Sequence, residues 1–205
     1  MGLLNPEFIL ASQSPRRRDL LTAAGYAFRV VVPDIDEIPQ PGESPARFAR
    51  RAACDKARAV AAELPPSARP RVVVACDTVV ALGPRIFGKP RSAAEAARML
   101  RALSGRAHEV ISGLALLRLP PAGSSARGVL IRSRAVRTQV RFRRLTMAEI
   151  RRYIASGEPM DKAGAYAIQE GAADMVRSIR GSYTNVVGLP LAELIEWLTR
   201  AGVRR

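Results

Sequence analysis

Several short segments place charged or polar side chains beside residues that usually end strands or begin helices. Ser12-Gln-Ser-Pro-Arg-Arg-Arg18 lies between an apolar run and a predicted helix, where backbone N–H groups and arginines favour a phosphate anion. A capped helix with solvated arginines would give the same pattern. Asp34-Ile-Asp-Glu37 offers carboxylate oxygens of the kind that bind a divalent cation, although a solvated acidic loop is the alternative there.

Asp77 is the most informative acid in the chain. It directly follows the apolar run Val72-Val-Val-Ala-Cys76 and precedes Thr78. A carboxylate at the end of a buried strand is costly unless it is paired, bound to a metal or placed at the mouth of a cleft. We therefore favour a functional role for Asp77 over a structural cap.

The lysines are rare in a chain rich in arginine. Of the 33 basic residues only three are lysine, namely Lys56, Lys89 and Lys162. A lysine that remains where arginine is otherwise used indicates a position that needs a compact point charge. Lys89, between a glycine and a proline, is well placed to meet a phosphate. Lys56 lies on a predicted helix, where a solvated position is the alternative.

Gln169 ends a polar segment that begins at Gly157, and its amide could hydrogen-bond the edge of a base through both of its polar groups. Asp161 and Lys162 in the same segment are interpreted equally well as a structural ion pair. Acids and cations at several loops together indicate chemistry on a polyphosphate. In that chemistry acids hold a metal, cations neutralise phosphate oxygens and a carboxylate activates water.

The elements that must position these residues alternate between strands and helices, which predicts an α/β fold and one domain over residues 1–205. A coarse division into halves places a cleft near Asp77 and Lys89. A turn is expected at Pro120–Ser125. The predicted helices cover 16–24, 44–64, 92–103, 146–154 and 189–201, and the predicted strands cover 8–11, 28–32, 72–76, 79–82, 108–119, 129–142 and 165–168.

Composition excludes several classes of protein. The chain has 205 residues, of which 48% are hydrophobic, so it is not a disordered polar chain, and no apolar run is long enough for a membrane span. The first ten residues lack the pattern of a signal peptide, and two cysteines indicate a reducing cytoplasm. The net charge of +15 would suit nucleic acid, but the arginines are scattered over the chain, so we do not expect a nucleic-acid partner.

The ordered motifs resemble the Maf proteins from about residue 8 to residue 200. The segments that carry the resemblance are Leu10-Ala-Ser-Gln-Ser-Pro-Arg-Arg17, Asp36-Glu37, Lys56-Ala57, Asp77-Thr-Val-Val80, Gly88-Lys-Pro90, Ser104-Gly105 with His108, Asp161-Lys-Ala-Gly-Ala-Tyr166 with Ile168-Gln169, and Gly181-Ser-Tyr183 followed by Asn185-Val-Val-Gly-Leu-Pro190.

The resemblance implies an elongated mixed β-sheet flanked by helices, with two lobes and a central cleft. It also implies a cytoplasmic nucleoside triphosphate pyrophosphatase that uses a divalent metal, Mg²⁺ or Mn²⁺, and often forms a homodimer. By the same resemblance, Asp77 matches the proton acceptor for the attacking water, and Glu37 matches an acid near the metal or the water. Both acids belong to the implied catalytic set, and both are implied metal ligands. The resemblance implies phosphate contacts at Ser12, Arg17, Lys56 and Lys89. Lys56 and Lys89 are also in the implied catalytic set. The implied positions that select the base are Arg16, Thr78 and Gln169.

Arg16, Thr78 and Gln169 resemble the branch of the family that acts on dTTP and UTP. Ala167 and Glu170 depart from the glycines that often flank Ile-Gln in the family, which bears on base selectivity and not on hydrolysis. Two alternatives stay open on the sequence alone. One is a pyrophosphatase for another nucleotide such as 7-methyl-GTP, and the other is a non-catalytic nucleic-acid-binding regulator of septum formation.

Overall fold

The computed structural model describes residues 5–124 and 129–205. Ser125, the last residue of the predicted 120–125 turn, lies outside these ranges. The seven strands are β1 Glu7–Ala11, β2 Arg29–Val31, β3 Arg71–Leu82, β4 Arg85–Phe87, β5 Ala107–Leu119, β6 Val129–Phe142 and β7 Val176–Arg180. The six helices are α1 Pro15–Ala23, α2 Pro45–Glu63, α3 Ala93–Leu103, α4 Met147–Ala155, α5 Tyr183–Val187 and α6 Leu191–Arg200.

The strands form one mixed sheet in the order β2-β1-β3-β5-β6-β7, with β4 paired to β3. Strand β1 runs parallel to β2 and β3, whereas β4 is antiparallel to β3 and β7 is antiparallel to β6. The predicted α/β class and mixed sheet flanked by helices are therefore confirmed. No helix in the described ranges is long and apolar enough to cross a membrane.

The chain divides into two compact units. The first unit comprises Met1–Asp77, Ser112–Val136 and Gly188–Arg205, and the second comprises Thr78–Ile111 and Arg137–Val187. Strands β3, β5 and β6 contribute residues to both units. The prediction of one domain over residues 1–205 stays a prediction.

Alternation along the strands of the first unit gives its sheet two buried faces. Even-numbered residues such as Leu10 and Val74 pack with Leu21 of α1 and Trp197 of α6. Odd-numbered residues of the same strands pack instead with Val60 and other apolar residues of α2. Because both faces are covered, these strands consist of continuous apolar runs, as the sequence predicted.

Gly113 allows α2 to lie directly on the odd-numbered face. A β-carbon at residue 113 would sit 1.9 Å from the carbonyl oxygen of Ala49 in α2. Any side chain there would push the helix away from strand β5. This close approach fixes the height of α2, and of the side chains it carries, above the sheet.

The core of the second unit is built from α3 and α4 against the sheet. Leu100, Leu103 and Ile150 are fully buried together with Phe142 of β6. A polar side chain caps the N-terminus of each helix. Ser92 accepts a hydrogen bond from Glu95 N at the start of α3, and Thr146 forms a reciprocal capping box with Glu149 at the start of α4. These caps explain why the predicted starts agree with the structure to within one residue.

Some predicted elements were wrong. The strands predicted at 72–76 and 79–82 are one continuous strand, β3, and the strand predicted at 165–168 does not exist. A 3₁₀ turn at Ala163–Ala165 replaces its start, since Gly164 and Ala165 have φ values of 71° and 61°. The sequence analysis did not predict β4, β7 or α5, each of which has five residues or fewer.

Candidate active site

Asp77 lies inside strand β3 and not at the end of a strand, which corrects the sequence-based placement. Its odd number puts it on the same face as Val73 and Ala75, which pack against α2. The carboxylate is 6% exposed. A buried acid in mid-strand needs a partner of opposite charge, and the helix that covers this face provides one.

Lys56 of α2 is that partner. Its Nζ lies 2.7 Å from Asp77 Oδ1 and 2.7 Å from Glu37 Oε1. The lysine side chain is 8% exposed, whereas the Glu37 side chain is 43% exposed. One buried ammonium thus bridges a buried and a solvent-accessible carboxylate, so the alternative of a solvated helix position for Lys56 is wrong.

The two carboxyl groups have opposite pKa shifts. Burial would raise the pKa of Asp77, but the Lys56 ammonium and hydrogen bonds from Glu37 and Lys56 outweigh it, so this pKa is lowered. Burial, a hydrogen bond with Asp77 and repulsion by its charge raise the pKa of Glu37. Because their environments move the two pKa values apart, Asp77 is the group held ionised and Glu37 the group that takes up a proton first.

The second oxygen of Asp77 is the atom best suited to bind something that the protein does not provide. Oδ2 is buried, and no nitrogen or hydroxyl donor in the described part of the chain reaches it. Glu37 adds a second carboxylate beside it, and carboxylate oxygens are ligands that Mg²⁺ and Mn²⁺ prefer. Residues 5–124 and 129–205 contain no cluster of three or more metal-ligating side chains, so a cation here would take its other ligands from substrate or water.

Ser12 and Arg17 form a second cationic position in the first unit. The buried Ser12 hydroxyl accepts hydrogen bonds from Ser14 N at 3.1 Å and from an Arg17 terminal nitrogen at 3.2 Å. Arg17 Nε donates to the carbonyl of Gly188 at 2.8 Å. Its charge also contributes to lowering the pKa of Asp77. The Ser14 side chain makes no cap bond at the start of α1.

Gly188 is a contributor that the sequence analysis did not assign. Its carbonyl accepts from Arg17 and, at 3.4 Å, from the Cys76 thiol, which lies next to Asp77 in β3. It thereby links the guanidinium to the strand that carries the acid. No local sequence pattern indicates this contact, because Arg17 and Gly188 are 171 residues apart along the chain.

The second unit carries the other predicted residues. Lys89 is exposed in the loop after β4, and within the described ranges it forms no ion pair. Gln169 is exposed in a turn, and its amide has no hydrogen-bond partner among the described residues. Thr78 is half-buried in β3.

Lys162 is buried, as Lys56 is, but its partner is its chain neighbour Asp161. The predicted ion pair between Asp161 and Lys162 is therefore present in the structure.

Among the predicted residues of the first unit, the structure brings Asp77, Lys56 and Glu37 into direct contact and joins Ser12 to Arg17. Arg16 is half-buried in the first turn of α1, beside Arg17 in the chain.

Comparison with known proteins gives consistent matches over almost the whole chain. A family model described as "Maf-like protein" matches residues 7–201. A protein of Geobacter sp. (strain M21) named "dTTP/UTP pyrophosphatase" is 51% identical over 198 residues, covering 97% of each chain. One of the same name from Geobacter sulfurreducens is 53% identical over 194 residues, covering 95% of this chain and 96% of its own. The solved HAM1 protein of Coxiella burnetii covers 95% of this chain and 99% of its own, with 19% identity and a TM-score of 0.44.

Proposed function

This chain belongs to the Maf-like protein family, and from that premise we propose that it is a nucleoside triphosphate pyrophosphatase acting on dTTP and UTP. Relatives more than 50% identical over nearly the full length carry that name. The single observation in this chain that supports the proposal is the buried Lys56 ammonium between Asp77 and Glu37. This arrangement combines an ionised carboxylate with a neighbouring positive charge, and hydrolysis of a polyphosphate needs both groups.

In the proposed reaction, water attacks the α-phosphorus while the bond to the β-phosphate oxygen breaks. The products are a nucleoside monophosphate and pyrophosphate. Asp77 accepts the proton that the water loses, since its lowered pKa keeps it ionised at neutral pH.

Cations of both units have the proposed task of neutralising phosphate oxygens. Lys56 and Arg17 are held by hydrogen bonds before substrate binds, so little conformational entropy remains to be lost there. Lys89 adds a mobile point charge on an exposed loop. Ser12 orients Arg17, and Arg16, Thr78 and Gln169 are the proposed contacts to the base.

Glu37 and Asp77 fit a divalent cation, and we include Mg²⁺ or Mn²⁺ in the proposal. Two adjacent carboxylates, one with an oxygen that no donor reaches, match the one or two protein carboxylates by which Mg²⁺ is usually held beside phosphates. Such a cation supplies charge neutralisation at the phosphates when it is bound. We also propose a cytoplasmic location, which Cys54 and Cys76 support because both are buried and neither forms a disulfide. On the resemblance alone, we propose a homodimer.

The test is a turnover panel with product analysis. Purified protein with Mg²⁺ or Mn²⁺ is given dTTP, UTP, CTP and 7-methyl-GTP, and the products are separated by ion exchange. We expect pyrophosphate and monophosphate from dTTP and UTP. In H₂¹⁸O the label should appear in the monophosphate. Label in pyrophosphate, release of orthophosphate with a diphosphate, or preference for 7-methyl-GTP would each contradict the proposal.

Asp77→Asn is the companion variant. It keeps the shape of the side chain and removes the proton acceptor, so kcat should fall by about 10²–10⁴-fold. Arg58→Gln on the same helix is the control, because this exposed arginine pairs only with Asp55 at 3.5 Å in the described protein. Substantial remaining turnover by Asp77→Asn, with wild-type circular dichroism, would rule out the assigned role of Asp77.

A further inference from the structure

The turn that carries Gln169 is fastened at both of its ends. We call Ile168–Gly171 the Gln169 turn. Just before it, Ala167 N donates to the buried hydroxyl of Tyr153 at 3.2 Å. At its end, Gly171 N donates to Glu158, at 3.0 Å from Oε1 and 3.2 Å from Oε2. The Gln169 side chain between these two points is exposed.

The glycine at residue 171 lets Glu158 come close to the turn. A β-carbon at that position would lie 2.6 Å from Glu158 Oε2 and 3.3 Å from the ring of Tyr153. The carboxylate therefore occupies the space where any other side chain would begin. Glu158 itself is the first residue of the 3₁₀ turn Glu158–Asp161, so it belongs to an ordered element.

Glu170, which takes the place of a frequent family glycine, adds a second connection. Its carboxylate lies 3.9 Å from the buried ammonium of Lys162. It also shares a hydrogen bond with Glu158, and burial together with that bond raises the pKa of Glu158. These contacts account for Glu170 without any role as a contact to the base.

The chemistry of a glutamine amide explains why these backbone hydrogen bonds matter for the choice of base. Uracil and thymine present a carbonyl acceptor beside a ring N–H donor, whereas cytosine presents an amino donor beside a ring acceptor. An amide offers one donor group and one acceptor, and a half-turn exchanges them. Selectivity therefore requires the amide to be held in one place and in one orientation, and the backbone that carries Gln169 sets its place relative to the base.

We propose that Glu158, assisted by Glu170 and Lys162, is a positioning residue that holds the Gln169 turn and thereby sets the preference for uracil and thymine over cytosine. The inference rests on the proposed function. Glu158 does not touch the nucleotide in this account; it acts through the N–H of Gly171. Its effect falls on selectivity between bases, and cleavage of the phosphoanhydride proceeds as before.

The test compares kcat/KM for UTP and CTP in Glu158→Ala and Glu158→Gln. The alanine variant removes the acceptor for Gly171 N, and we expect the UTP-to-CTP ratio to fall roughly tenfold, through KM for UTP with kcat nearly unchanged. The glutamine variant keeps an acceptor oxygen and should retain the ratio. Glu109→Gln is the control, because Glu109 of β5 pairs with the exposed Arg137 at 3.3 Å.

Coupling to Gln169 gives the sharper result. Gln169→Ala should lower the ratio by itself, and adding Glu158→Ala should then change it no further. A merely structural role would instead lower kcat/KM equally for UTP and CTP. Equal losses, an unchanged ratio in Gln169→Ala, or indistinguishable ratios in the alanine and glutamine variants of Glu158 would each overturn the inference.

Binding separates this inference from the proposed function. Dissociation constants for the non-hydrolysable α,β-imido analogues of UTP and CTP, measured by calorimetry on the same variants, give a selectivity ratio that needs no turnover. If the wild-type protein releases no pyrophosphate, the proposed function fails. The dissociation constant of the CTP analogue divided by that of the UTP analogue still decides whether Glu158 positions Gln169. A roughly tenfold fall of this ratio in Glu158→Ala supports the inference, and no fall overturns it.

Discussion

The Lys56–Asp77 pair of the first unit and His108 of the second unit are buried titratable groups in opposite charge states. In the first unit, Lys56 and Asp77 are both less than 10% exposed and are held as ions by their mutual contact and by Glu37. In the second unit, His108 is equally buried, but burial lowers its pKa to about 4, so it is neutral at pH 7. Its ring packs edge-on against Phe142 and Tyr166.

This difference separates a buried pair that is kept charged from a buried side chain that is kept neutral. Desolvated ions cost folding free energy, and a fold retains them where their charge acts on something else. Neutral aromatic packing is the cheaper arrangement, and in the second unit it surrounds the only histidine. There, the proposed substrate contacts Lys89 and Gln169 are exposed and lie on loops.

The largest expected effect on stability comes from removing the central charge of the first unit. Lys56→Met leaves Asp77 and Glu37 facing each other without a cation, so the free energy of unfolding should fall by about 3–5 kcal/mol at pH 7. Urea denaturation measures it. Arg58→Met on the same helix is the matched control and should change stability by less than about 0.5 kcal/mol, because this arginine is 60% exposed.

A double variant sharpens that test. Combining Lys56→Met with Asp77→Asn removes both buried ions, so part of the lost stability should return. If the losses of the two single variants simply add, the buried ion pair is not what stabilises this part of the fold.

The second prediction concerns the neutral histidine. Because the pKa of His108 falls from 6.5 to about 4 on folding, the unfolded chain takes up the proton first as the pH drops. The stabilising contribution is fully present above pH 6.5 and is lost between pH 6.5 and 4, with a total of about 3 kcal/mol.

His108→Gln removes this titration and keeps a polar group near the Tyr166 hydroxyl, which lies 2.9 Å from His108 Nε2. Urea denaturation at pH 7, 5.5 and 4.5 should show a steeper loss in the wild-type protein than in the variant. Carboxyl groups titrate in both proteins, so only the difference between them reports on His108. Parallel pH curves would show that folding does not lower the pKa of His108, and they would remove this contrast with the Lys56–Asp77 pair.

Much of the scaffold was predictable because its signals are local. Ser44, Ser92 and Thr146 accept hydrogen bonds from the first turns of α2, α3 and α4, and a cap of this kind lies within four residues of what it stabilises. The continuous apolar run before Asp77 indicated a strand covered on both faces, which the first unit confirms. Such features need no knowledge of distant parts of the chain.

The geometry of the site was less predictable because its contacts span long sequence separations. Asp77 lies in mid-strand since Lys56, 21 residues earlier, compensates its charge, and a local pattern suggested a strand end instead. The residue types of the site were nevertheless predicted, as the charges and turn residues are visible in the sequence. The prediction of a strand at 165–168 was wrong for another reason, because positive φ values at Gly164 and Ala165 turn the chain there.

The smallest of the predicted effects tests how the loops of the second unit are fixed. Gly164 has φ 71°, and a β-carbon there would lie 2.8 Å from two carbons of the buried Val80 side chain. Gly157 has φ 80°, but a β-carbon built on it would have no other atom within 4 Å. In both Gly→Ala variants the strained backbone should lower the free energy of unfolding by about 1 kcal/mol. Gly164→Ala alone should lower it by about 2 kcal/mol more, because the Val80 side chain is branched at Cβ and cannot move aside.

The same pair of variants links packing to the Lys89 loop. Gly164 N donates to the carbonyl of Gly88 at 3.0 Å, so a displaced Gly164 also shifts the residue before Lys89. Amide hydrogen exchange should therefore show lost protection at residue 164 in Gly164→Ala and unchanged protection there in Gly157→Ala. Equal stability and equal protection in the two variants would mean that Val80 gives way at no cost. The Lys89 loop would then be positioned by something other than the packing of Gly164 on strand β3.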